Sequence, residues 1–257
     1  MFKIGLKTWS TNKQYIPEAE RLFKEGFCDY IELFSIPGSF QATAALWKQL
    51  KIPYIIHAPH HGQGLNLSDP NAWESNQKMA LEAIKFADAL DASMIIFHPG
   101  AQGKTHEIIR QLNNLNDSRI IVENKPYLNE AGDVCNGYSP SEIETIIRQA
   151  GVGFCLDVEH ALCAANSLKK DPIEFFKEFL VLKPDLFHLT DGHENEEIDH
   201  HMHLGQGTID LKLFLVLIPK TCMITVETVH DFEDKLTDFE QDSNYLRAME
   251  QFLHEQR

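Results

Sequence analysis

The chain has no apolar run long enough to cross a bilayer: the longest, Leu213 to Ile218, falls well short of the roughly 18 residues a spanning helix needs. Its first residues, MFKIGLKTWS, lack the apolar stretch of a signal peptide. Cysteine is sparse and unpaired in pattern. Cys28, Cys135, Cys155, Cys163 and Cys222 form no CxxC motif and are odd in number, which argues against a disulfide framework and against a Cys-type structural zinc site. Reduced thiols, and hence a cytoplasmic protein, are expected. Positive charge is also short: 23 Lys and Arg against 38 Asp and Glu give a formal charge of −15. That balance speaks against a protein that simply coats nucleic acid or an anionic membrane. It leaves open a local cationic site, because bound metals add charge that the sequence does not count. No Gly-rich phosphate loop and no Pro/Gly/Ser-rich linker occur either.

What is present is enough apolar material for a full core, 43% of 257 residues. Short β-branched or aromatic runs alternate with longer amphipathic segments. The runs are Lys3–Lys7, Tyr30–Phe34, Tyr54–His57, Met94–His98, Ile120–Glu123, Phe154–Asp157, Leu186–Leu189 and Met223–Glu227. Between them, apolar residues recur at helical spacing, as in Met79, Ala83, Phe86 and Leu90. Ser139-Pro140-Ser141-Glu142 and Asp171-Pro172-Ile173-Glu174 each carry a cap, a proline at the first helical position and a glutamate three residues after the cap. Helices around Gln41–Leu50 and Asp210–Ile218 are less sharply marked. Eight strand-then-helix units in one uninterrupted chain imply an α/β fold, a single (β/α)8 TIM barrel domain over residues 1–257. The competing arrangement is an open doubly wound sheet with an added lobe.

In a barrel, a side chain at the C-terminal end of a strand points into the mouth where such enzymes do chemistry. His57, His98, Glu123, Asp157 and Glu227 end their strands, and His188 lies next to the end of its own. His160 follows Asp157 by three residues, so both reach one site if the chain turns helical there. Every histidine except His106 and His254 falls at or just after a strand end. Taken singly, such a histidine is more often a hydrogen-bonding residue than a ligand. Taken together, imidazoles and carboxylates converging on one mouth would stay expensively desolvated without a cation. The mixed His/Asp/Glu set suits zinc or manganese.

The motifs IHAPHHGQGLNL, FHPG, VEN, CLDVEHALCA, FHLTD, DHHMHLGQG and VET, in this order between His57 and Glu227, resemble the endonuclease IV branch of the xylose isomerase-like TIM barrels. The resemblance implies a metal-dependent phosphodiester hydrolase of the apurinic/apyrimidinic endonuclease kind with up to three zinc ions. It implies that His57, His98 and Glu123 hold one ion, that Glu123 bridges to a second completed by Asp157, His188 and Glu227, and that His160, Asp199 and His201 hold a third. Glu123 and Glu227 are then the candidate catalytic residues, one orienting the nucleophile and the other accepting its proton.

The pattern departs from that family where substrate is chosen. The first loop reads IGLKTWS instead of a GAHVS-like motif, the second, LFSIPGSF, has no basic residue, and His60 stands where the family has a tyrosine. The substrate therefore stays open between damaged DNA and a small phosphoester or sugar. An alternative activity is a divalent-metal sugar or sugar-phosphate isomerase or epimerase: Glu123, Asp157, His188 and Glu227 would hold one ion, and the two glutamates would shuttle a proton beside a polarised carbonyl. Lys7 and Trp9 would suit that substrate as anchor and floor, or be a solvated cation and plain core. A metal-binding barrel without turnover is the third possibility. Neither a membrane nor a protein partner is indicated, and the acidic run Glu194 to Asp199 reads as a solvated flap with Asp199 as its functional exception.

Overall fold

The structure, a computed structural model, describes residues 1–255 apart from the side chain of His254. Eight parallel strands, β1 (Lys3–Trp9), β2 (Tyr30–Phe34), β3 (Tyr54–His57), β4 (Ile95–Phe97), β5 (Ile120–Glu123), β6 (Gly153–Asp157), β7 (Leu186–Leu189) and β8 (Met223–Val226), pair in chain order into a closed barrel. Closure comes from β8 against β1, with Lys3 opposite Met223 and Leu6 opposite Val226. The helices are α1 (Ile16–Glu25), α2 (Phe40–Trp47), α3 (Trp73–Leu90), α4 (Thr105–Leu115), α5 (Pro140–Ala150), α6 (Val158–Ser167), α7 (Pro172–Leu180), α8 (Leu211–Leu215) and α9 (Thr237–Glu255). Among the described residues no helix is long and apolar enough to cross a membrane.

The expected boundaries shift where hydrogen bonding extends or stops a strand. β1 runs on to Trp9, because Trp9 lies opposite Phe34 and the Ser10 N–H donates to the Phe34 carbonyl at 2.9 Å. Trp9 is then exposed and not part of the core. β4 and β8 are shorter than the sequence suggests, so His98 and Glu227 stand just past their strands. The sixth unit carries two helices, α6 and α7, and α8 is barely more than a turn. The caps form as their spacing demands: Ser139 accepts from the Glu142 N–H at the start of α5, and Asp171 from the Glu174 N–H at the start of α7.

Two apolar layers hold the barrel. The larger lies between strands and helices and includes Trp47, Phe86, Phe154, Phe176 and, from α9, Phe239 and Leu246. The smaller fills the barrel interior with Tyr30, Ile55, Ile96, Ile121, Cys155 and Leu186. Gly5 of β1 belongs to the same level: a Cβ there would collide with the Tyr30 ring, whose hydroxyl crosses to Thr225 at 2.9 Å. The interior floor is therefore closed by packed side chains.

Candidate metal centre

Successive inward-facing side chains on a strand are two residues apart. Two positions beyond each residue of the apolar floor comes an ionisable one: Glu32 after Tyr30, His57 after Ile55, His98 after Ile96, Glu123 after Ile121, Asp157 after Cys155 and His188 after Leu186. On β1 the same step leads from Gly5 to Lys7, and on β8 two steps lead from Met223 through Thr225 to Glu227. All of these except Glu227 are buried. The barrel thus stacks a ring of charge directly on a ring of hydrocarbon.

Glu123 is the hub. Its Oε2 lies 3.2 Å from Nε2 of His57, 3.1 Å from Nε2 of His98 and 3.3 Å from Nδ1 of His188. Its Oε1 lies 3.1 Å from Nδ1 of His160. His188 Nδ1 also approaches Glu227 Oε2 at 2.7 Å, while its Nε2 donates to Glu32 Oε2 at 2.9 Å. α6 starts at the end of β6, with Asp157 as its cap accepting from the His160 N–H at 2.7 Å, and this turn carries the His160 ring into the mouth. From the loop after β7, Asp199 Oδ2 meets His160 Nε2 at 3.2 Å and His201 Nε2 at 2.9 Å. The rest of the run, Glu194 to Glu197, is exposed.

The structure therefore brings all nine sequence-derived candidates to one mouth, in three groups whose donor atoms lie within 4.8 Å of one another: His57, His98 and Glu123; Glu123, Asp157, His188 and Glu227; His160, Asp199 and His201. These residues fit divalent cations by the direction of their lone pairs. His57 Nδ1 donates to the Ala58 carbonyl at 2.7 Å, His160 Nδ1 to the Asn124 carbonyl at 2.9 Å and His201 Nδ1 to the Glu227 carbonyl at 3.1 Å. In neutral imidazoles so bonded, Nε2 is a bare lone pair, and here it faces a carboxylate oxygen. A positive charge between them removes that repulsion, and a fixed outer N–H is what ligating histidines ordinarily have. Glu123 Oε1, Asp157 Oδ2, His188 Nδ1 and Glu227 Oε2 are moreover buried with no hydrogen-bond partner in the protein.

The titration shifts describe the same unneutralised charge. Burial raises the Asp157 pKa, with the neighbouring Glu123 and Glu227 adding to it. Burial works against charge on His160 too, yet Asp157 and Asp199 push its pKa up to about 10.

Sequence reasoning missed Glu32 and Lys125 here and left Lys7 open between a substrate anchor and a solvated cation. Lys7 is no solvated cation: it is buried, ion-paired with Glu227 and 3.3 Å from Glu32. Glu32 is fully buried and also accepts from Thr225 Oγ1 at 2.7 Å. Lys125 Nζ lies 3.0 Å from His160 Nε2 and 3.7 Å from Glu123 Oε1. The step of two from the apolar floor is the signal that would have exposed Lys7 and Glu32. Lys125 lies beyond its strand, where that period no longer applies. Of the remaining histidines, His203 is buried and bonded to Asp242 at 2.8 Å, and His230 Nε2 donates to the Lys7 carbonyl at 2.9 Å. His60 stacks on His98 at 5.3 Å, and His61 and His200 are exposed.

Two clefts open from the centre and share His60, His201 and Glu227. One, of about 320 Å³, is bounded by Lys125, Asn129 and His160; the other, of about 500 Å³, by Lys7, Trp9, Phe34 and Tyr15.

The model of a family described as xylose isomerase-like TIM barrel matches residues 23–249. A probable endonuclease 4 of Aquifex aeolicus is 29% identical over 201 residues, 69% of this chain and 70% of that protein. Endonuclease IV from Thermus thermophilus superposes with a TM-score of 0.71 at 22% identity, covering 98% of this chain and 99% of that one. A D-tagatose 3-epimerase-like protein superposes with a TM-score of 0.73 at 17% identity over 99% of both chains. Structural likeness at these identities speaks to the fold, while the family match extends over most of the sequence. The chain belongs to the xylose isomerase-like TIM barrel family.

Proposed function

We propose that this protein is a metal-dependent phosphoester hydrolase of the endonuclease IV type, holding up to three divalent ions, zinc by preference. The single observation that carries the reading is the His160–Asp199–His201 group, joined to the inner residues by the His160 contact with Glu123. A one-ion enzyme has no use for that group. His57, His98 and Glu123 would hold the first ion, Glu123, Asp157, His188 and Glu227 the second, and His160, Asp199 and His201 the third. Cations in these positions supply Lewis acidity toward phosphoryl oxygens and make water acidic enough to attack at neutral pH.

The chain's own groups do the positioning. Glu123 presents one oxygen to each side of the centre and fixes the spacing of the two halves. Lys7 keeps Glu227 in the carboxylate form: although burial opposes ionisation, the neighbouring ammonium and His188 hold its pKa well below the usual range. A ligand gains from this, whereas a proton shuttle loses basicity, so Glu227 takes up the nucleophile's proton only weakly and serves first to bind. Glu32 orients His188 from behind.

For substrate we favour a small phosphoester over damaged DNA. The exposed loops around the mouth carry Glu130, Glu194, Glu196, Glu197, Asp231, Glu233 and Asp234. Among the described residues every arginine lies on a helix or, as Arg119, just before β5, and none lines either cleft. A duplex backbone is ordinarily met by the opposite charge. The free state of the five cysteines accords with action in the cytoplasm. The isomerase or epimerase alternative keeps one observation in its favour, the cleft in which Lys7, Trp9 and Phe34 adjoin Glu227.

Metal analysis of protein purified without chelators tests the reading, together with Asp199→Ala and His201→Ala. More than one ion per chain, and loss of phosphodiesterase activity on bis(p-nitrophenyl) phosphate by roughly 100-fold in either variant, is expected. One ion per chain, with sugar-isomerising activity that survives both substitutions, would sink it.

A further inference from the structure

The three groups do not carry equal charge. Around the inner two stand four buried or half-buried carboxylates, Glu32, Glu123, Asp157 and Glu227, against the ammonium of Lys7 and, 3.7 Å from Glu123 Oε1, that of Lys125. The outer group has a single carboxylate, Asp199, and it is already faced by a cation: Lys125 Nζ lies 3.0 Å from Nε2 and 3.4 Å from Nδ1 of His160. Both nitrogens at such distances put the ammonium against the ring itself, beside the space that His160, Asp199 and His201 enclose. Its side chain is only 15% exposed.

The Lys125 backbone is fixed while its side chain is long. The Lys125 N–H donates to the Gly137 carbonyl, and bridges between Leu128 and Val134 and between Ala101 and Cys135 tie down the loop that follows. The side chain borders the cleft of about 320 Å³, so the ammonium has somewhere else to go. Lys125 thus holds its charge against the outer group with the cleft open beside it.

We infer that Lys125 makes the outer site exchangeable: its ammonium stands at His160 Nε2, where a third ion would be ligated, and that ion is held firmly only when the ammonium is withdrawn or removed. The inference rests on the multinuclear reading above and adds to it which ion is labile and which residue makes it so.

Zinc titration of the chelator-stripped full chain by calorimetry, repeated with cobalt(II) followed by visible absorption, reads this without any activity measurement. In the unsubstituted protein the third ion should bind at least about tenfold more weakly than the other two, the effect of a like charge a few ångströms away even in water. Lys125→Met should tighten the third ion by a similar factor and the first two by less, because the ammonium lies farther from Glu123 than from His160. Lys125→Arg, which keeps the charge, should behave as the unsubstituted protein, and Lys125→Gln serves if the methionine variant fails to fold by circular dichroism. A third ion whose affinity ignores both neutral substitutions overturns the role of Lys125 alone. A single ion per chain in every variant overturns the multinuclear reading and this inference with it.

Discussion

Glu32 shows how much of this centre depends on residues that never touch a substrate. It lies in the middle of β2 with no exposure, and its Oε2 accepts from both His188 Nε2 and Thr225 Oγ1. The first bond fixes which His188 nitrogen is left bare toward Glu227 and Glu123. Glu32→Gln keeps the shape but removes the charge and the paired acceptors. Competition with a zinc chelator should show inner-site affinity reduced roughly 10- to 100-fold, the usual consequence of losing a ligand's outer partner. Unchanged affinity would show that His188 is oriented by packing alone. The nine candidate donors could be read from sequence because each sits at a strand end or on a short motif. Glu32 could not, since a glutamate inside a strand is informative only once its neighbours are known to face the same interior.

At the level of elements, the links between β8 and α9 set the wall of the mouth. Asp238, in the first turn of α9, accepts from the Asp231 N–H at 2.9 Å and lies 3.4 Å from His230 Nδ1. Burial opposes its ionisation, but these bonds, His230 first, lower its pKa below the ordinary value. A depressed carboxyl pKa contributes stability that is present above the unfolded value, about 3.9, and is lost as pH falls through the folded one. Asp238→Asn should therefore be less stable than the unsubstituted protein by about 1–2 kcal/mol at neutral pH. The difference should narrow on acidification below about pH 4, as denaturant melts at several pH values would show. A gap that stays constant down to about pH 2 would refute the linkage. Helix starts at Ser139 and Asp171 were legible because capping is local chemistry. The short α8 and the second helix of the sixth unit were not, because their extent is set by what they pack against.

For the molecule as a whole, the charge ring on the hydrocarbon floor is the main electrostatic burden of the fold. Metal removal should expose it. At zinc concentrations about a hundredfold above Kd the ions stabilise by about 2.7 kcal/mol per site. EDTA should then lower Tm by roughly 5–10 °C for each site emptied, in a chain of this size. Melting curves that coincide with and without EDTA would mean that the buried carboxylates are neutralised by protons and lysines alone. The floor beneath protects this arrangement: Tyr30, Ile96 and Leu186 close the barrel so that water and ions reach the charged ring only from the mouth.

The sequence by itself determined the eight alternating units, the helix caps and the set of imidazoles and carboxylates placed at strand ends, because period, capping and strand termination act over a few residues. It also carried the acidic balance that separates this chain from a protein coating DNA. Only the tertiary structure decided that Glu123 meets four imidazoles, that Lys7 locks onto Glu227 across the closing seam of the barrel, and that Lys125 lies against His160. Those pairs are up to 220 residues apart in the chain. Barrel closure brings them together, and no local pattern encodes the register at which β8 returns to β1.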